Sequence, residues 1–96
     1  MTISGADTGL SNPNGVAFDA AGDLFVTNEG NNSVTEYAPG ASGDAFPTAT
    51  LQGSSTGLNA PGAIVFDATG RMYVANLANG ITGTVTEYAP GAHGNA

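Results

Sequence analysis

The sequence predicts an all-β protein made of two related units, each a small antiparallel sheet. Three observations lead there. The chain repeats itself: residues 8–22 (TGLSNPNGVAFDAAG) return 48 positions later as residues 56–70 (TGLNAPGAIVFDATG). Residues 34–41 (VTEYAPGA) return unchanged 51 positions later as residues 85–92. Helical periodicity is missing, because Gly and Pro interrupt the chain every few residues and leave only short β-rich runs between turns. A period near fifty residues with strand-like content points to propeller blades.

Each unit reads as four strands. Strand A covers residues 15–19 and 63–67, strand B 23–28 and 71–76, and strand C 33–38 and 84–89. Strand D covers residues 48–52. The tight turns at Asp19-Ala20-Ala21-Gly22 and Asp67-Ala68-Thr69-Gly70 have a mechanism. Asp bonds its own backbone two residues on, and Gly accepts a positive φ at the exit. Pro39-Gly40 and Pro90-Gly91 close strand C, since proline has no N–H for the ladder. Val16 and Val26 read as core-facing.

The repeat is out of phase with the chain ends. Thr2-Ile3-Ser4-Gly5 aligns with Thr50-Leu51-Gln52-Gly53, and the second unit has no strand D of its own. The expected division is an outer strand at 1–5 that completes a neighbouring chain's blade, blade one at 6–53, and blade two at 54–96. Two blades cannot close a ring, and an open sheet edge is a template for another strand. The expected partner is therefore the chain itself, with Thr2, Ile3 and Ser4 of one copy meeting Val85 and Glu87 of another. Blades in closed rings number about 4–8, so dimer, trimer and tetramer are the options. The alternative is a fragment of a longer propeller.

The motif Leu10-x-x-Pro13-x-Gly15-Val16-Ala17-Phe18-Asp19-x-x-Gly22-x-Leu24-x-Val26-x-Asn28 resembles the repeat of NHL-type β-propellers. The resemblance spans essentially the whole chain, taken as two blades with a circular offset. It implies a six-bladed ring, hence a homotrimer, and a binding role. The sequence departs from the family pattern in three places. Ala63 replaces a Gly, Asn28 and Asn76 stand where Asp is usual, and Ser33 and Thr84 replace a basic residue. The last change removes the positive surface that RNA-binding members use.

Composition narrows the function classes. One Lys or Arg against eight Asp and Glu gives a net charge of −7, which argues against nucleic acid and anionic membranes as partners. There is no cysteine, so thiol and disulfide chemistry is excluded, though the compartment is left open. No charged start precedes an apolar run, so no signal peptide is expected. His-x-x-x-His, Gly-x-Ser-x-Gly and phosphate-loop motifs are all missing, so the chain reads as a non-enzyme without cofactor or metal.

The candidate binding surface is a polar rim of B–C loops and D–A linkers: Asn12, Asn14, Asn28, Glu29, Asn31, Asn32, Asn59, Asn76 and Asn79. Polar loops on a rigid scaffold are where binding sites sit. Asn in such loops also serves left-handed backbone and turn bonds, and that role alone accounts for it. Glu36 and Glu87 lie on strand C beside Tyr37 and Tyr88, where a partly wet face explains a carboxylate next to Val34. Asp19 and Asp67 are explained by their turns, and His93 by a solvated tail. The expected role is a self-assembling scaffold recognising protein, peptide or glycan. A lectin using Tyr37, Tyr73 or Tyr88 to stack sugars, and a metal-dependent lyase or hydrolase, are the alternatives.

Overall fold

The computed structural model describes residues 1–78 and 82–96. Among the described residues seven strands follow one another: β1 (Pro13–Phe18), β2 (Leu24–Asn28), β3 (Ser33–Tyr37), β4 (Ala49–Gln52), β5 (Pro61–Phe66), β6 (Met72–Asn76) and β7 (Thr84–Tyr88). They form a four-stranded sheet, β1-β2-β3-β4, and a three-stranded sheet, β5-β6-β7, antiparallel throughout. The expected strands are all present, most within one residue at each end. β1 and β5 start two residues earlier, at Pro13 and Pro61, where a strand-opening proline gives up no ladder bond. The register shifts just after each proline, before pairing settles at Gly15↔Thr27 and Ile64↔Val74. Among the described residues no helix is long and apolar enough to cross a membrane.

The two turns work as their chemistry predicts. Asp19 Oδ1 accepts the N–H of Ala21 at 3.0 Å and of Asp23 at 2.9 Å, and Gly22 exits at φ 90°. Asp67 Oδ1 accepts Thr69 N–H and Arg71 N–H, both at 2.9 Å, and Gly70 exits at φ 91°.

The sheets stack face to face, with β1 nearest β5. Strand alternation gives each blade a front and a back. The back of blade one (Ala17, Phe25, Val34, Leu51) packs on the front of blade two (Leu58, Ile64, Phe66, Met72, Val74, Tyr88). Phe25 and Phe66 meet in a tilted pair with centroids 4.7 Å apart, the offset geometry aromatic quadrupoles favour. Val74 and Tyr37 are fully buried, and Val34 and Leu51 are 2% exposed.

The front of blade one has no such neighbour. Val16, the counterpart of buried Ile64, is 65% exposed, and Phe18 is 63% exposed. Val26 is core-facing as expected, whereas Val16 is not. Its strand has the right pattern, but among the described residues no blade packs on that face. The back of blade two is likewise open, with Val65 60% and Val85 71% exposed. Burying such side chains is worth about 1.5–3 kcal/mol each.

Polar bonds inside each blade are duplicated. Tyr37 OH donates to the Thr8 carbonyl at 2.6 Å, and Tyr88 OH donates to the Thr56 carbonyl at 2.7 Å. Each tyrosine thus straps the linker that leads into its blade. The segment before that linker is duplicated too. Gly43 N–H donates to the Thr2 carbonyl at 2.6 Å, and Ser4 N–H donates to the Gly43 carbonyl at 3.0 Å. One unit later Gly94 N–H donates to the Thr50 carbonyl at 2.7 Å, and Gln52 N–H donates to the Gly94 carbonyl at 2.8 Å. Residues 2–4 therefore touch blade one as β4 touches blade two.

Candidate functional site

The B–C loops and the D–A linkers meet at one end of the two blades. Glu29 N–H donates to the Asn12 carbonyl at 3.1 Å, and Gly30 N–H donates to the Ser11 carbonyl at 2.9 Å. In blade two, Leu77 N–H and Ala78 N–H donate to the carbonyls of Ala60 and Asn59, each at 3.1 Å. Asn12 and Asn32 hold left-handed backbone at φ 47° and 55°, a conformation Asn tolerates better than most residues. Across the blades, Asn32 Oδ1 accepts Ala60 N–H at 2.8 Å. Asn31 Oδ1 accepts the Ser33 hydroxyl at 2.7 Å.

Of the rim residues expected from sequence, Asn12, Asn14, Glu29, Asn31, Asn32 and Asn59 are exposed at this end. Asn79 lies outside the described residues. Asn28 and Asn76 require a correction, because both are buried beneath the rim. Asn28 Oδ1 accepts Ser11 N–H at 3.1 Å, while its Nδ2 donates to the Val26 carbonyl, the Ser33 hydroxyl and the Thr35 hydroxyl at 3.1–3.3 Å. Asn76 Oδ1 accepts Asn59 N–H at 3.1 Å, and its Nδ2 donates to the Val74 carbonyl and the Thr86 hydroxyl. A buried amide with donor and acceptor both engaged braces the loops from below. Among the described residues no buried side-chain polar atom lacks a partner.

The opposite end carries an arrangement that the residue-by-residue reading missed. Asp19 from the A–B turn, Asp23 before β2 and Glu36 from β3 bring carboxylate oxygens within 4.8 Å of one another. Asp19 and Glu36 border a groove of about 270 Å³ between the blades, lined also by Phe25, Phe66 and Met72. Partial burial, then the charges of Asp23 and Asp19, hold the Glu36 carboxyl above its ordinary range, and His93 offsets a little of this. Asp23 is also raised, by desolvation and then by its bond to Asp19 and the Asp19 charge. Blade two places Arg71 where blade one has Asp23. Arg71 lies 3.7 Å from Asp67 and 3.3 Å from Glu87, and Tyr73 OH donates to Asp67 at 3.1 Å. The Thr69 hydroxyl bond, helped by the N–H groups of Arg71 and Thr69, brings Asp67 down to about 2. The signal was present in the alignment, as an Asp-to-Arg exchange at equivalent positions.

The residues expected to close the assembly lie in two places. Thr2, Ile3 and Ser4 lie against Gly43, and Val85 and Glu87 lie on β7, which among the described residues pairs with β6 alone. His93 is exposed beside the Gly94 bridge.

Residues 10–37 match the model of the NHL repeat. The chain carries an NHL repeat. The matched segment runs from Leu10 of the entry linker through β1, β2 and β3, which is blade one without its outer strand. Blade two, outside the matched residues, repeats the same strands, turns and tyrosine strap. Such repeats build β-propeller interaction modules, generally without catalysis. No curated protein matches the chain.

Proposed function

We propose that this NHL-type chain is a self-assembling propeller scaffold that recognises a protein or peptide at its Asn-rich rim. One observation supports the assembly. The front and back faces that pack together inside the chain recur, uncovered, at its two ends. A copy presenting the front of blade one to the back of blade two of another would repeat an interface the fold already makes. Such a contact is heterologous and propagates around a ring until rotation closes it. Three copies give six blades, the number the NHL resemblance implies, and no external cofactor enters this reading.

The rim supports recognition because six exposed polar residues from both blades sit on backbone fixed by buried Asn28 and Asn76. A protein or peptide suits this surface better than a sugar. Tyr37 and Tyr88, the aromatic platforms a lectin would need, are buried with their hydroxyls engaged. Native mass measurement tests the assembly, with trimer expected and a monomer at all concentrations refuting it. Peptide-display selection tests the rim. Selected peptides should lose binding to Glu29→Ala and Asn59→Ala proteins, and unchanged binding would place the site elsewhere.

A further inference from the structure

We infer that residues 1–4 of one copy become the outer strand of blade two in the next, adding antiparallel to β7 with Thr84 opposite Ser4, Val85 opposite Ile3 and Thr86 opposite Thr2. This rests on the ring reading above and adds the partner segment and its register.

The register comes from the complete blade. β3 pairs with β4 as Ser33↔Gln52, Val34↔Leu51 and Thr35↔Thr50. β7 is the counterpart of β3, and residues 2–4 are the counterpart of residues 50–52. Residues 2–4 already make the other half of an outer strand's contacts. Their parallel bridge Ile3↔Gly43 repeats the bridge Leu51↔Gly94. They are thus an outer strand docked on the blade that follows it, with no sheet behind it. Among the described residues no strand pairs with the outer edge of β7.

The two halves cannot meet within one molecule as it stands. Gly43 holds residues 2–4 at blade one, and blade two packs on the back of blade one, away from that uncovered front. The side chains agree with the assignment. Val34 and Leu51 are each 2% exposed in the complete blade. Val85 is 71% exposed, and it awaits an apolar partner that Ile3 supplies. The backbone groups on the free edge of β7 gain their ladder bonds in the same step.

The absence of cysteine makes disulfide trapping clean. Opposed residues in an antiparallel pair have Cα atoms about 4.5–5.5 Å apart, within disulfide reach. Proteins carrying Ile3→Cys and Val85→Cys are mixed, exchanged and oxidised, with Ile3→Cys plus Glu87→Cys as the mismatched pair. The expected result is a heterodisulfide for Ile3–Val85 that predominates over Ile3–Glu87. An oligomer that forms without that bond, or favours the Glu87 pair, overturns the register and leaves the ring intact. A monomer under all conditions overturns both. An intact oligomer after deletion of residues 1–5 shows that another segment covers β7, and overturns the inference alone.

Discussion

The Thr27 hydroxyl of blade one donates to the Gly62 carbonyl oxygen of blade two at 2.7 Å, in a buried contact between β2 and β5. The Thr27 hydroxyl oxygen in turn accepts Gly15 N–H at 2.8 Å, so one side chain ties its own sheet and the next. The approach is close because Gly15 has no side chain. A Cβ there would run into the Gly62 carbonyl.

Gly15→Ala should therefore loosen the join between blades. Overpacking of this kind costs about 1–3 kcal/mol. Thr27→Val should cost a similar amount, about 1–3 kcal/mol, by leaving the buried Gly62 carbonyl unpaired. Urea titration of both variants measures this, and unchanged midpoints would contradict the tie.

The tyrosine straps make a matched pair of tests. Tyr37→Phe and Tyr88→Phe each remove a hydroxyl donor from a buried carbonyl, of Thr8 and Thr56 respectively. Each should lower stability by about 1–3 kcal/mol. Nearly equal losses are expected, because the two bonds differ by only 0.1 Å, at 2.6 and 2.7 Å. A loss confined to one variant would mean that the blades do not share this device.

Met72 and Val16 should respond oppositely to mutation. Met72 is 5% exposed in the join, and Met72→Ala should cost about 2–5 kcal/mol in the folded chain. Val16 is 65% exposed on the front of blade one, so Val16→Asp should leave the single chain folded. It should block the proposed association by placing a charge on the face offered to another blade. Circular dichroism and native mass measurement read the two effects separately. An associating Val16→Asp protein would remove that face from the interface.

The acidic trio gives a pH dependence of definite sign. Glu36 and Asp23 are raised in the folded state, so folding binds their protons more tightly than the unfolded chain does. Their contribution is favourable at low pH and is lost as pH rises through the folded values. Asp67, lowered to about 2 from 3.8, contributes above its ordinary value and loses that contribution as pH falls through about 2. Mild acidification from neutrality should therefore relieve blade one while blade two keeps its bonds. Asp23→Arg copies the blade-two arrangement. It should raise the melting temperature at neutral pH and flatten the mild-acid response. A variant with the parent's pH profile would show that the trio is not a source of strain.

The strands were legible because their signals are local. Alternation, the Asp-x-x-Gly turns and the prolines act within a few residues, and those elements fall where the pattern put them. Val16 shows the limit. It carries the same pattern as Ile64, yet Ile64 is covered by blade one and Val16 is 65% exposed, a difference strand periodicity does not encode. Asn28 and Asn76 show another. An Asn at a strand end reads the same whether it faces solvent or turns inward. Its partners, the Ser11 and Asn59 amides and the Thr35 and Thr86 hydroxyls, lie 7 to 17 residues away. The acidic trio draws on a turn, a loop end and a strand, so only the folded sheet brings it together.

Blade two does not reproduce the inner tie of blade one. Ala63 stands at the position of Gly15, and Ala75 at that of Thr27. Any junction built on the outer side of blade two carries a methyl group where the internal junction has bare backbone, and lacks the hydroxyl that clasps the carbonyl. A closed assembly would then alternate between tight and slack seams, with the symmetry of its subunits and not of its blades. Under dilution or denaturant it would part at the slack seams first, releasing intact blade pairs before any sheet unravels.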